Sequence, residues 1–386
     1  MSDSTTEPGS ADAPGRRILF ITGRLESSAP SRLIVGLARE FGRAGYEAQI
    51  VCRGGSLAKV YPSNGAARPT TDDPPIWISR ALDQNLRGYL SLRGLVRQVR
   101  EIDPDVLYVH GSRLARLGAR LARRVRRPYL LAIGDFLDPG RSVSRSRRFL
   151  RRILVASDAV RIDLVNRIGL PRGLIAVVPD GVDLPLYPAR EPGLTGFGMP
   201  VVGAIGRLVE SKGHDYLIRA AHLLAMRGRH MQFVIAGGGP DRKRLQNLVW
   251  ELDLGDRITF AREPVDQLQV LKALDILAVP APREALGLSV IEAMACGIPV
   301  VATSAGGVFS LIENGKTGIL VPKKDPDALA SQLERVLDDP ELAAELARKG
   351  RERVAAQFGI EAAARRAMDV YEKSTSDDAD DTTAAS

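Results

Sequence analysis

The segment from Asp275 to Gly307 leaves a chain few ways to fold. Asp275 to Val279 (D-I-L-A-V) and Ile298 to Ala302 (I-P-V-V-A) are short apolar runs, each bounded by turn residues. Runs of that length read as strands buried on both faces. Between them, about Leu286 to Ala295 reads as a helix ended by Gly297 and Pro299. Strand, loop, helix, strand is half of a parallel α/β sheet, because parallel neighbours need a crossover between them. Ligands collect at the carboxyl ends of such strands, where helices begin. Glu284 lies in that loop and Glu292 stands eight residues later in the helix, so the two carboxylates reach different parts of one ligand. Leu288 and Ser289 stand where a helix start offers N–H groups to an anion. Taken alone, two glutamates favour a plainer account, in which Glu284 complements the helix dipole and Glu292 is solvated.

The wider pattern reverses that preference. The segment E-A-L-G-L-S-V-I-E-A-M-A-C-G-I-P-V-V-A-T, continuing through G-G-V and N-G-K-T-G-I-L-V-P (Asn314 to Pro322), resembles the E-x7-E motif of retaining nucleotide-sugar glycosyltransferases of family 4. The resemblance runs from about residue 16 to 373, is most specific from 201 to 322, and is weaker in the first half. It implies an α/β fold of two Rossmann-like domains in tandem (GT-B) with an interdomain cleft.

The chain divides to match. Its 386 residues are enough for two domains, each with its own core. Residues 1–15 and 375–386 are polar and read as disordered tails. Residues 16–184 alternate strand and helix as a first domain, including a basic helix at about 142–151 and a long loop over 53–75 that could flank an acceptor. Residues 185–199 hold three prolines and three glycines with no periodicity and read as a linker. Residues 200–358 form the second domain. By family analogy, residues 359–374 form a helix crossing back onto the first.

After the strand Pro200 to Ile205 comes G-R-L-V-E-S-K-G, residues 206–213. Gly206 at a strand end lets backbone approach a phosphate. The resemblance gives Arg207 and Lys212 contacts to the donor diphosphate, Glu284 a contact to donor sugar hydroxyls or diphosphate, and Glu292 the ribose hydroxyls. Two fixed cations suit a leaving nucleoside diphosphate, which gains negative charge as its glycosidic bond breaks. The loop Ala236 to Pro240 (A-G-G-G-P) reads equally as a tight turn or a donor contact, and Arg262 to Pro264 falls at the family's base-binding loop. Asp103-Pro-Asp105 and Asp325-Pro-Asp327 read as structural, consistent with the metal-independent catalysis that the family implies. The implied co-substrate is a nucleotide-diphosphate sugar, with no cofactor and no metal.

Two positions depart from the family pattern. Ser310 stands where G-G-x-x-E has its glutamate, and Gly134 stands where the family often has a histidine near the reacting sugar. Asp135 and His110, both at strand ends, are the candidates to supply polar contact there. A lone histidine reads as readily as a structural group.

The net charge of +8 is uneven. Residues 1–190 hold 31 Lys+Arg against 18 Asp+Glu, and residues 191–386 hold 23 against 28. Seven arginines fall within 113–127, and Arg113, Arg116, Arg120 and Arg124 recur at helical spacing. One account is a solvated face. The other is contact with an anionic membrane presenting a lipid-linked or glycan acceptor. Nucleic acid is disfavoured, because aromatic content is 5% and no stacking platform interleaves with the arginines. Cys52 and Cys296 lie in apolar surroundings and read as buried thiols. With no secretory pattern and no bilayer-length apolar run, the expected location is cytoplasmic, with peripheral membrane contact as an option. The rival readings are a sugar-nucleotide epimerase on the same scaffold and a non-catalytic nucleotide-sugar-binding protein.

Overall fold

A computed structural model describes residues 16–60, 72–79, 82, 88–138, 140–189, 198–261 and 266–383. The first domain opens with β1 (Arg17–Ile21), α1 (Ala29–Arg43), β2 (Glu47–Cys52), α2 (Ser56–Val60) and β3 (Ile76–Ile78). It continues with α3 (Gly88–Ile102), β4 (Val106–His110), α4 (Ala115–Val125) and β5 (Tyr129–Ile133). It closes with β6 (Leu150–Val155), α5 (Asp158–Ile168) and β7 (Ile175–Val177). These strands form one parallel sheet in the order β3-β2-β1-β4-β5-β6-β7. Its central strands are apolar along their length and buried on both faces, as a sheet covered by helices on each side requires.

The second domain begins with β8 (Val201–Ile205), α6 (His214–Met226), β9 (Gln232–Ala236), α7 (Arg242–Glu251) and β10 (Ile258–Ala261). Then come α8 (Gln267–Lys272), β11 (Ile276–Val279), α9 (Leu288–Ala295), β12 (Val300–Thr303), α10 (Val308–Leu311) and β13 (Ile319–Val321). Helices α11 (Pro326–Asp338), α12 (Pro340–Gln357) and α13 (Ile360–Thr383) finish the chain. The six strands are parallel, in the order β10-β9-β8-β11-β12-β13. Both halves are thus Rossmann-like. Ile360, Ala363, Ala364, Ala367 and Tyr371 of α13 share a core with Ile34, Leu37 and Phe41 of α1, so the last helix closes the first domain.

Three sequence expectations need correction. Residues 141–149 form no helix: the Tyr129 hydroxyl accepts from Ser146 N at 3.0 Å, Val143 is buried beneath, and the chain enters β6 at Leu150. Pinning that loop over the buried tyrosine outweighs the helical tendency of its arginines. The long loop over 53–75 begins with α2 and leads into an unforeseen edge strand, β3. There Ile50 N donates to Pro75 O, and Trp77 Nε1 donates to Gln49 Oε1 at 2.9 Å. Residues 61–71 of that loop lie outside the described residues, as do 1–15, 190–197 of the expected linker and the whole Arg262 to Pro264 segment. Beyond residue 374, where a disordered tail was expected, helix α13 runs on to Thr383; no glycine or proline interrupts it.

Candidate active site

The two sheets point their carboxyl ends at one another, and the candidate residues sit on the loops that leave them. In the second domain, the loop after β8 carries Arg207 and Lys212, and the loop after β11 carries Glu284. Lys212 Nζ donates to both carboxylate oxygens of Glu284, at 2.8 and 2.9 Å. Both partners are largely enclosed, with side-chain exposures of 18% and 8%. Burial works against the Lys212 ammonium, but the charges of Glu284 and of Asp135 across the cleft more than offset it, and its pKa is raised. The pairing brings together Lys212 and Glu284, with Asp135 in electrostatic reach from the end of β5.

Close backbone packing fixes this geometry. Gly306 has φ +54, and a Cβ there would land on the carbonyl oxygen of Glu284. Gly307 N donates to that same oxygen at 3.0 Å. The G-G pair after β12 is therefore the floor on which the Glu284 loop rests. The loop 236–240 supports Arg207 and Leu208 in the same way: Gly206 N donates to Ala236 O, and Leu208 N to Gly238 O. His214, 3% exposed, has Nε2 3.1 Å from the Arg207 carbonyl, and its Nδ1 is buried without a partner. Burial lowers its pKa to about 4, so the ring is neutral at pH 7 and donates from Nε2. Arg207 itself is exposed. Leu288 and Ser289 open α9 and are half-buried; the next two amides, of Val290 and Ile291, donate to Gly287 O, while those of Leu288 and Ser289 have no intrahelical acceptor.

Glu292 is not in that open group. It is 0% exposed, and its Oε1 accepts from Arg32 Nη2 at 2.6 Å and from the Tyr187 hydroxyl at 2.6 Å. Its Oε2 is buried with no hydrogen-bond partner. Burial pushes this carboxyl up, and the Arg32 guanidinium and the Tyr187 hydroxyl oppose that shift without cancelling it. Neither Arg32 nor Tyr187 could be singled out beforehand: one is among three arginines on α1, the other lies in a Pro-rich stretch.

Further contacts draw the domains together around the site. Gln267 Oε1 accepts from Ala29 N at 2.9 Å, the Ser157 hydroxyl donates to Ala285 O, and Arg283 lies 4.4 Å over the Phe136 ring while pairing with Asp163. Ala285 is buried within the first domain's own core.

His110 ends β4 half-buried, and burial lowers it to about 4, so it is neutral at pH 7 and not a cation for a diphosphate. Asp135 is exposed on the cleft side, its Oδ1 accepting from Phe136 N. Ser310 donates to Gly307 O, and its carbonyl accepts from Arg353, which pairs with Glu313. Asp103 pairs with Arg17 and Arg127, Asp105 accepts from Arg17 N, Asp325 caps α11 and Asp327 pairs with Arg227, so each of these carboxylates has a structural partner. Both cysteines are free and buried. The arginines of α4 form an exposed face opposite Leu121 and Ala122. Among the described residues no helix is long and apolar enough to cross a membrane.

Comparison with known proteins agrees with this architecture. The family model "Glycosyl transferases group 1" matches residues 195–353, and "Glycosyltransferase Family 4" matches residues 31–185. The chain is 33% identical over 285 residues to a 2-deoxystreptamine glucosyltransferase of Streptomyces kanamyceticus, covering 70% of each. It is 36% identical over 236 residues to a D-inositol 3-phosphate glycosyltransferase of Corynebacterium jeikeium, covering 54% of this chain and 55% of that one. Among solved structures, Anabaena Alr3699/HepE in complex with UDP and glucose superposes with a TM-score of 0.75 at 21% identity, covering 93% of this chain and 100% of the other. Two parallel sheets facing across a cleft, with the Lys212–Glu284 pair on the second domain's side of it, are this chain's form of the GT-B fold, and the chain belongs to the group 1, family 4 glycosyltransferases.

Proposed function

We propose that this glycosyltransferase moves a hexose from a nucleoside diphosphate sugar to an acceptor hydroxyl, with retained anomeric configuration and without a metal ion. The observation that carries this reading is the Lys212–Glu284 pair beside the start of α9, with Asp135 facing it. An arriving diphosphate would compete with Glu284 for the ammonium and take amides from the first turn of α9. As the bond from the anomeric carbon to phosphate breaks, its electron pair moves onto the phosphate oxygen, where Lys212 and Arg207 stabilise the charge. The acceptor oxygen then bonds to the same carbon from the same face, passing its proton to the departing phosphate. No protein nucleophile is required, so the glycine at position 134 is compatible with the reaction.

Glu292 takes the ribose in this reading, through its unpartnered Oε2. Because that oxygen is enclosed, α1 and its Arg32 must draw back to admit the nucleotide. The family placement does not favour an epimerase.

For the acceptor, the relatives' names point to a cyclitol, either 2-deoxystreptamine or inositol 3-phosphate. The exposed arginine face of α4 supports a second reading, an acceptor carried at an anionic membrane surface. Thermal shift with UDP-glucose, GDP-mannose and the free nucleotides tests donor binding by mass action. Transfer to each cyclitol is then followed by NMR of the product anomer, with and without EDTA. Donor binding with neither transfer nor donor hydrolysis would make the chain a binding module, and an inverted product would remove the retaining mechanism. Equal sedimentation with neutral and anionic liposomes would remove the membrane reading.

A further inference from the structure

One carboxyl group facing the cleft makes no hydrogen bond and no ion pair among the described residues. Asp180 follows β7 on the segment where the chain turns towards the second domain. Its backbone is fixed just beyond, where Val182 N donates to Phe358 O and Ile360 N donates to Val182 O, both at 2.9 Å. Burial alone raises the carboxyl to about 7, and the charged form in turn raises the neighbouring Tyr108 hydroxyl on β4. Carboxylates that serve the fold are paired, and an unpaired one in a half-enclosed site is a mark of function.

Its position says what it could meet. A Cβ built on Gly134 would have a single non-neighbouring heavy atom within 4 Å, Oδ2 of Asp180 at 3.8 Å. The space that a side chain at position 134 would enter is therefore open, with this oxygen at its edge. The next residue, Asp135, is in electrostatic reach of Lys212. From the other domain Leu288, the first residue of α9, packs against the cluster that holds Tyr108, Ala132 and Val178. The opening over Gly134 is thus flanked by Asp135, which reaches to Lys212, and by the cluster on which α9 begins. A sugar hanging from a diphosphate held there enters that opening.

We infer that Asp180 is a catalytic residue that holds a hydroxyl of the transferred sugar in the space left by Gly134. This rests on the nucleotide-sugar reading above. A carboxylate accepts well from sugar hydroxyls. A negative group near a sugar carbon that gains positive charge as its bond to phosphate breaks acts more strongly in the transition state than before it.

The test uses the full chain and titration calorimetry with two paired probes, UDP against UDP-glucose and GDP against GDP-mannose. For whichever pair the wild type binds, Asp180→Asn is expected to keep the affinity for the nucleoside diphosphate. It is expected to lose about 10- to 100-fold in affinity for the nucleotide sugar, the scale of a lost hydrogen bond to a charged group. The turnover number should fall with it. Gly134→Leu, which fills the opening, should give the same split. If both variants match the wild type towards the nucleotide sugar and in turnover, the inference is wrong. Equal losses for nucleotide and nucleotide sugar would mark Asp180 as structural and also overturn it. A wild type that binds none of the four probes would instead bring down the donor reading on which the inference stands.

Discussion

Arg32 Nη2 lies 2.6 Å from Glu292 Oε1, joining the first helix of one domain to the helix that heads the other domain's site, with side-chain exposures of only 9% and 1%. The Tyr187 hydroxyl shares the same oxygen. A charge pair this enclosed stabilises little in net terms, because both ions have left water, but breaking it strands a charge. Arg32→Met should therefore destabilise the chain by about 3–5 kcal/mol. The double variant Arg32→Met with Glu292→Met should recover most of that loss. Urea unfolding followed by circular dichroism reads both. A single-variant loss no larger than a surface pair's would mean that the two domains do not meet here in solution.

Lys212 is the cation with the most direct claim on the donor. Lys212→Ala should lower turnover about 10²- to 10³-fold, the scale seen when one group stabilising developing charge is removed. Lys212→Arg should recover only part of it, since a planar fork cannot replace a compact ammonium that bonds both oxygens of Glu284. Initial rates at saturating donor decide the matter, and unchanged turnover in Lys212→Ala would remove this residue from the site.

The sheets were legible because their strands are buried on both faces and so appear as unbroken apolar runs, such as L-L-A-I in β5 and I-L-A-V in β11. The Lys212 and Glu284 loops were legible because each sits in a long, specific pattern. Their direct pairing was not, since no local period relates residues 72 positions apart. Arg32 and Tyr187 left no trace for the same reason: the first satisfies an ordinary amphipathic helix, and the second sits in a stretch that reads as linker. Asp180 lies in P-D-G-V-D, which reads as a turn. Only the opening over Gly134 gives it a second meaning. The helix expected at 142–151 failed because local propensity carries no information about the Tyr129 hydroxyl waiting for Ser146 N.

Gly306 and Gly315 offer a controlled comparison of two glycines that both have positive φ, +54 and +76. Alanine at Gly315 would meet nothing within 4 Å, so Gly315→Ala should cost only the left-handed penalty of about 1–2 kcal/mol and leave activity alone. Alanine at Gly306 would also strike the Glu284 carbonyl. Gly306→Ala should therefore cost more stability and, by shifting the Glu284 loop, lower the affinity for the donor. Thermal melts with and without donor separate the two. Equal behaviour of the pair would show that the Glu284 loop yields freely.

The pH dependence of stability should show opposed contributions from three groups that the fold withdraws from water, His214 fully and His110 and Asp180 in part. His110 and His214 are each held near 4 in the fold, below their ordinary 6.5. Above pH 6.5 neither state carries those protons and their contribution is intact; as pH falls from 6.5 towards 4 only the unfolded chain takes them up, and stability is lost. Asp180 runs the other way, about 7 in the fold against an ordinary 3.8. Between pH 7 and 3.8 the folded state holds a proton that the unfolded chain does not, so acidification across that window adds stability. At about 1.36 kcal/mol per pKa unit these shifts correspond to about 3 kcal/mol for each histidine and about 4 kcal/mol for Asp180, so the loss on acidification is partly masked in the wild type. Asp180→Asn removes the masking. This variant should be more stable than the wild type above pH 7, where it no longer buries an unpaired charge, and should lose stability more steeply between pH 6.5 and 4. Urea midpoints across that range give the sign directly. A variant less stable than the wild type at pH 8 would mean that the Asp180 carboxylate has a partner after all, and that its place over Gly134 serves the fold.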